Sequence, residues 1–555
     1  MRTGFEHGLK RWLAGLLLVL PAAIPYAAHY AGAGGMIPTG FIQGDQPYYM
    51  ANAREHFDAG SFVPTYGNPS GAEFDTPRIY FQPQALLMGL LWRFGLQDPG
   101  LVFVLFGLVW AVVCARIAIA LFEFLFGLAG PGRRLGLAVM FWGGGAIVLA
   151  GAAVTGTYAL YGVPMTVKGL FHLDPFAGLW CLNFGRTLIY PNEAYYHAIF
   201  FGVVLLLLRK RYGAAWGLTL LLCVSHPFTG IELLAIVFAW VVLEVLLRRE
   251  SPPPAFVAGW GLLMALHVGY YLAFLPSFPE HRMLMEQWVQ PWILGGASAA
   301  AAYLPVGLIA LWRMRSVPLA RALLAERSNR LFVVWFLVAF ALATHELFTR
   351  AHQPLHFTRG YVWLPLFFLG APLMIAWFGG LASRFRPVGR VAVGMLLVLL
   401  LSDNAAWFAA VANGRLLGQV RLTQGQADVL RWVNGSTRDR AVVVSEDPLL
   451  GYLSTVYTPA RAWLAQYYNT PDAALREREL GEFFAGRGGI SLERPEEVVL
   501  VFSKHSPHAS RRGAILEQVA RVRHAVEVFE NRELMAVRTV WPVSAPGPAG
   551  SRSRP

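Results

Sequence analysis

Apolar runs recur along the first 410 or so residues, at about 12–30, 100–127, 135–155, 193–208, 213–225, 230–247, 255–275, 292–312, 330–345, 361–379 and 391–411. A helix crosses a bilayer with about 20 predominantly apolar residues. The pattern therefore predicts an α-helical polytopic membrane protein with about eleven transmembrane helices. The apolar stretch from Gln84 to Phe94 is too short to cross and is expected to lie as an interfacial helix on the outer leaflet. Between it and the first span, residues 31–83 form the largest polar loop before the tail, with Asp45, Arg54, Glu55, Asp58, Glu73, Asp75 and Arg78 among turn-forming Gly and Pro.

From about residue 414 the periodicity changes. Asp428 to Val433 has helical spacing, and Ala441 to Ser445 reads as a buried strand. A helix over Pro471 to Phe484, a strand over Val498 to Phe502, a helix over Ala514 to Arg523 and strands near Val526 to Phe529 and Leu534 to Arg538 follow. This alternation predicts a small soluble α/β domain outside the membrane. The chain thus divides into a membrane part (1–413), an α/β part (414–541) and a Pro/Ser/Gly/Arg-rich end (542–555) expected to be disordered.

Composition narrows the class. With 56% hydrophobic and 14% charged residues and a mean hydropathy of +0.47, the chain does not suit a water-soluble core. The formal charge of +13 sits in short clusters between apolar runs, which is the signature of membrane topology and not of a nucleic-acid surface. An amino-terminus-in arrangement leaves 18 Lys and Arg on cytoplasmic segments, among them Arg133/Arg134, Arg209 to Arg211 and Arg248/Arg249, against 7 in the outer loops before the tail. The expectation is an inner (plasma) membrane protein with a cytoplasmic amino terminus and an extracytoplasmic, in a two-membrane bacterium periplasmic, α/β domain. The first run also has the features of a signal peptide, and either way residues 31–83 are outside. Cys114, Cys181 and Cys223 are scattered without metal-ligand spacing, and no HExxH-type pattern occurs, so no metal site is assigned and a role for a divalent metal is left open.

The outer loops collect the ionisable side chains. Gly44-Asp45-Gln46-Pro47-Tyr48-Tyr49 sets a carboxylate beside aromatics at the membrane surface, where water on one side and hydrocarbon on the other tune a group for acid/base work. His352 to Tyr361 brings His356 and Arg359 to the start of a span, suited to gripping a phosphate or equally to interfacial anchoring. Arg186, with Tyr190, Asn192, Glu193 and His197, precedes another span. His226 and Glu232 mark a tight outer turn, where His226 suits a capping or turn role at least as well as binding. Arg116 and Glu123, seven apart on one face of the second span, are expected to pair or snorkel.

This order of features resembles the GT-C superfamily of membrane glycosyltransferases. It rests on the first-loop motif Gly44 to Tyr49, the segment Tyr80-Phe81-Gln82-Pro83-Gln84 leading into the interfacial helix, Arg359-Gly360-Tyr361 before a late span, and the outer α/β tail. The resemblance implies transfer of a sugar from a polyprenyl-phosphate carrier to an acceptor hydroxyl on a lipid, glycan or protein. Asp45 would be the catalytic base, with the donor phosphate near Arg359, His356, Arg78 or Arg186. Asp174 or Glu193 would match a second acidic position, and Tyr48, Tyr49 and His197 would bind substrate. Outside the cytoplasm no sugar nucleotide is at hand and the chain has no phosphate-cradling Gly-rich loop, which agrees with a lipid-borne donor. The rival classes are a multispan transporter or lipid flippase, which calls for broken helices and charges near the bilayer middle, an O-antigen ligase or polymerase-like enzyme, and a non-catalytic scaffold.

Overall fold

Helices occupy every one of the apolar runs, but they differ in reach. Seven are long and apolar enough to cross a membrane: Gly8–Ala31, Pro99–Phe126, Pro191–Leu208, Pro227–Leu246, Pro254–Ser277, Trp363–Gly380 and Pro387–Ala412. The count rises to nine if two bent pairs are each taken as one span. Against the eleven expected, the difference lies in length: the remaining two runs form helices of 14 residues (Tyr212–Ser225) and 17 residues (Arg327–Ala343). The computed structural model describes the chain except residues 1, 33, 58–61, 75, 181, 250–251, 289–290, 381–386, 439, 491–494 and 542–555. Asp58, Asp75, Cys181, Arg384, Arg386 and the end expected to be disordered lie outside the described residues.

One bent pair shows how a helix is interrupted inside an apolar bundle. Pro131–Trp142 and Ile147–Ala159 meet at 56° across Gly143-Gly144-Gly145-Ala146. The backbone groups freed there need partners, because hydrocarbon supplies none. Asp403, fully buried on the helix Pro387–Ala412, accepts from the backbone N–H of Gly145 (2.9 Å), Ile147 (3.2 Å) and Val148 (2.9 Å). Gly144 and Ala146 donate to the carbonyls of Leu400 and Ala301 at 2.6 and 2.7 Å. The break is thus closed by protein. The second pair, Gly296–Arg313 and Val317–Ala325, bends by 99° where Ser316 caps the shorter helix.

Within the second span Glu123 pairs with Arg11 of the first at 2.7 Å. The seven-residue spacing from Arg116 had suggested a partner on the same helix; the nearer cation comes instead from the adjacent one, as the two helices pack side by side.

The segment after residue 420 returns to the first polar loop. β1 (Ile37–Pro38) pairs antiparallel with β2 (Arg421–Leu422). Beyond it β3 (Ala441–Ser445), β4 (Arg461–Ala462), β5 (Glu497–Ser503), β6 (His524–Glu530) and β7 (Leu534–Val540) form one sheet in the order β4-β3-β5-β7-β6. β3 is parallel to β4 and β5, and β7 is antiparallel to β5 and β6. β3 is buried on both faces, so it reads as an unbroken run of small and β-branched residues. Ion pairs fasten this unit to the first loop: Arg461 to Glu55 at 2.9 Å and Arg476 to Glu73 at 2.5 Å. The loop after β4, which begins at the carboxyl edge of a parallel strand, leads into the cavity described next.

Candidate active site

Asp45 stands at the N-cap of the helix Gln46–Glu55, which Pro47 starts in the first turn. Its carboxylate does not cap that helix. Instead Oδ1 accepts a hydrogen bond from Gln466 Nε2 at 3.0 Å, and Gln466 comes from the loop after β4. Tyr48 N–H donates to the Tyr452 hydroxyl at 2.8 Å, a second tie between the two units. Tyr49 lies parallel to Phe103 of the helix Pro99–Phe126, with ring centroids 6.2 Å apart. Burial raises the Tyr49 phenol above its usual range, with Arg359 opposing that rise.

Arg359 forms an ion pair with Glu193, the acid in the first turn of the helix Pro191–Leu208. The guanidinium also lies over the Trp180 ring, 4.7 Å from its centroid. His197 is buried one turn below: its ring nitrogens lie 2.8 Å from the Glu193 carbonyl and 2.9 Å from the Arg359 carbonyl, so it fixes the backbone on both sides of the ion pair. Gly360 follows at φ +84, and a Cβ there would stand 3.0 Å from the Cα of Phe184. A side chain would meet both backbone strain and a collision. The turn that aims Arg359 therefore requires glycine.

His356 packs face to face on Phe228 at 4.2 Å and edge-on to Trp180 at 4.8 Å. Burial, with His226 adding to it, pushes its imidazole well below the usual range. It is therefore neutral at pH 7, and offers a ligand a hydrogen bond and not a charge. Among the described residues that line the cavity, Arg359 is then the cation. His226 itself caps the helix Pro227–Leu246 by accepting from Thr229 N–H at 3.2 Å.

These groups line one cavity of about 360 Å3. It brings together Asp45, Tyr48, Tyr49, Glu193, His356 and Arg359 from the sequence-derived candidates. His197 stands behind it. Arg78, Arg186 and Asp174 are placed elsewhere. Arg78 donates to the carbonyls of Thr65 and Glu55, bracing the first loop. Arg186 and Asp174 form a fully buried ion pair at 2.7 Å. Asp174 also lines a neighbouring cavity of about 490 Å3, which shares Phe176 and Trp292 with the first. Among the described residues no group of three or more His, Cys, Asp or Glu side chains is arranged to hold a metal ion. Asp45 and Glu193 face an amide and a guanidinium instead of further carboxylates.

Part of the remaining lining was not singled out from the sequence. Gln466, Tyr468 and Asn469 come from the loop after β4, and Trp180, Trp288 and Trp292 from loops of the membrane part. Trp288 Nε1 donates to the Tyr468 carbonyl at 2.9 Å, and Gln287 Nε2 to the Thr470 carbonyl at 2.8 Å. Two tryptophans four apart in a short segment between apolar runs were the available signal.

Neither a family model nor a curated protein matches the sequence. Among solved structures, the chain is similar to the oligosaccharyltransferase of Archaeoglobus fulgidus in its apo form, with 10% identity and a TM-score of 0.43 over 92% of this chain and 71% of that one. For the same enzyme tethered to an acceptor peptide containing the NVT sequon the values are 10%, 0.45, 95% and 74%. For the archaeal oligosaccharyltransferase AglB from that organism, in complex with an inhibitory peptide and a dolichol-phosphate, they are 12%, 0.41, 95% and 74%.

Proposed function

We propose that the cavity is the active site of an integral-membrane glycosyltransferase that moves a sugar from a polyprenyl-phosphate carrier to an acceptor hydroxyl on the extracytoplasmic face. The observation that carries this reading is the joining, in one cavity at the ends of apolar helices, of an Asp45 carboxylate that caps nothing with an Arg359 guanidinium held by Glu193. A carboxylate and a fixed cation at a membrane surface are what displacement at an anomeric carbon needs when the leaving group is a lipid phosphate.

In this mechanism Asp45 takes the proton of the acceptor hydroxyl as its oxygen bonds to the anomeric carbon. The bond from that carbon to the phosphate oxygen breaks on the opposite face, and the phosphate gathers charge beside Arg359, with a hydrogen bond from neutral His356. One displacement inverts the anomeric centre. Glu193 and His197 keep the guanidinium in place before the donor arrives.

The direction of the helices supports this sidedness. Pro191–Leu208 starts at the cavity with Glu193, and Arg209, Lys210 and Arg211 follow its far end, about 27 Å away at 1.5 Å per residue. Pro227–Leu246 starts beside His356 and is followed by Arg248 and Arg249. Basic clusters favour the cytoplasmic side, which supports an extracytoplasmic cavity and sheet unit.

Purified protein given a panel of labelled polyprenyl-phosphate sugars tests the proposal. Consumption of one donor, by transfer or by slow hydrolysis, is expected, with Arg359→Ala losing most of it. A protein that neither binds nor consumes any member of the panel, with cell-envelope acceptors supplied, contradicts it.

A further inference from the structure

From Arg359 runs a row of aromatic rings that neither acid/base chemistry nor phosphate binding uses. The guanidinium of Arg359 lies over Trp180, Trp180 is 5.0 Å from Trp292, and Trp292 is 5.5 Å from Trp288 and 6.0 Å from Tyr468. Tyr468 stands two residues beyond Gln466, the partner of Asp45. The row thus begins at the cation and ends on the loop whose Gln466 holds the carboxylate. All of these groups line the cavity of about 360 Å3.

Trp292 is the centre of this row and is held there against local preference. Its φ is +41, a region that a bulky side chain rarely occupies. Its carbonyl accepts from Leu355 N–H at 3.1 Å, tying it to the segment that carries His356. Phe176, the other aromatic shared with the neighbouring cavity, has φ +53. Strain of this kind persists where surrounding structure imposes it, and it clusters at ligand sites. Trp180 and Trp292 pack against the apolar core on one side and stay part-exposed to the cavity on the other, so each leaves indole surface for a ligand.

Resting on the glycosyltransferase reading, we infer that Trp292, with Trp288 and Tyr468, is the platform on which the transferred sugar lies, and that this sugar is a pyranose. A pyranose ring presents C–H bonds with partial positive charge on one face, which meet the negative face of an aromatic ring, while its hydroxyls point to the rim. Stacked on Trp292, the ring has its anomeric phosphate toward Arg359 and leaves its other side open to an acceptor activated at Asp45. The neighbouring rings are inclined to Trp292 by 53–78°, so the sugar stacks on the one indole face and the others wall it in; a furanose, puckered and narrower, meets that face less fully.

Equilibrium binding of radiolabelled probes to full-length Asp45→Asn protein in lipid nanodiscs tests this without turnover. The probes are farnesyl phosphate and farnesyl phosphate bearing a glucopyranosyl, galactopyranosyl, mannopyranosyl or arabinofuranosyl group. The inference expects one pyranosyl probe to bind more tightly than bare farnesyl phosphate, and Trp292→Leu to weaken that probe about tenfold while leaving the bare phosphate unchanged. Trp292→Phe, which keeps a ring, retains most of the affinity and controls for folding. Equal loss for bare and glycosylated probes, no loss for either, or preference for the furanosyl probe overturns the platform while leaving the glycosyltransferase reading standing. If the parent binds neither bare nor glycosylated probe, the glycosyltransferase reading itself falls, and the platform with it.

Discussion

Gln466 Nε2 donates to Asp45 Oδ1 at 3.0 Å, a contact between residues 421 positions apart. The carboxylate assigned as base is thereby oriented by the sheet-bearing unit and not by the loop that carries it. This makes the segment after β4 part of the site, and a cap over the helices only in the second place.

Gln466→Ala is expected to lower kcat by roughly ten- to hundredfold, the worth of one hydrogen bond to a charged group. Donor affinity should hold within about threefold, because the contact positions the base and not the donor. Gln466→Glu should be worse than Gln466→Ala, since it sets like charges together. Steady-state kinetics with bound-donor measurements separate the two effects.

Asp403 carries a structural prediction. Removing its carboxylate leaves the Gly145, Ile147 and Val148 N–H groups unpaired at a helix break in the apolar bundle. Asp403→Ala should cost about 3–5 kcal/mol, and Asp403→Asn, which keeps an acceptor oxygen, less than half of that. Unfolding in detergent, followed by the near-ultraviolet signal, measures both. An Asp403→Ala protein as stable as wild type would show that the break is held by its other contacts.

His356 predicts a pH dependence. Its folded-state pKa is lowered by burial, so the unfolded chain binds its proton more readily. The stability contributed by keeping it neutral is complete above the unfolded value of about 6.5 and is lost as pH falls below that, with a slope of up to about 1.4 kcal/mol per pH unit. His56 and His281 are lowered by burial too and act in the same window. The test is therefore a difference: between pH 7 and 5, His356→Gln should lose less stability than wild type. Parallel curves would show that His356 does not titrate in this way.

Much of this architecture was legible in the order of apolar runs, because each run long enough to form a helix did so. The crossings were harder to count, since a run of 14 residues and one of 17 look apolar in sequence yet fall short of a full span. Asp45 and Arg359 could be singled out because each stands where a polar loop gives way to a helix. The buried Arg186–Asp174 pair shows the opposite case: two charged residues near a span read as ligand groups, while their full burial is a property of packing. Gln466, Tyr468 and Asn469 had no local signal, since they reach the cavity only when β4 docks beside β3 and the sheet closes on the first loop. Likewise, Glu123 finds Arg11 across a helix interface that spacing within one helix cannot reveal.

The central claim is that Asp45 removes the acceptor proton. Single-turnover transfer from the preferred donor, measured with wild type and Asp45→Asn alongside donor binding, tests it most directly. Asn keeps a side-chain oxygen for Gln466 and nearly the same volume, so binding should be unchanged within about threefold while the transfer rate falls by roughly 10² to 10⁴. An Asp45→Asn protein that transfers sugar as fast as wild type would contradict the account.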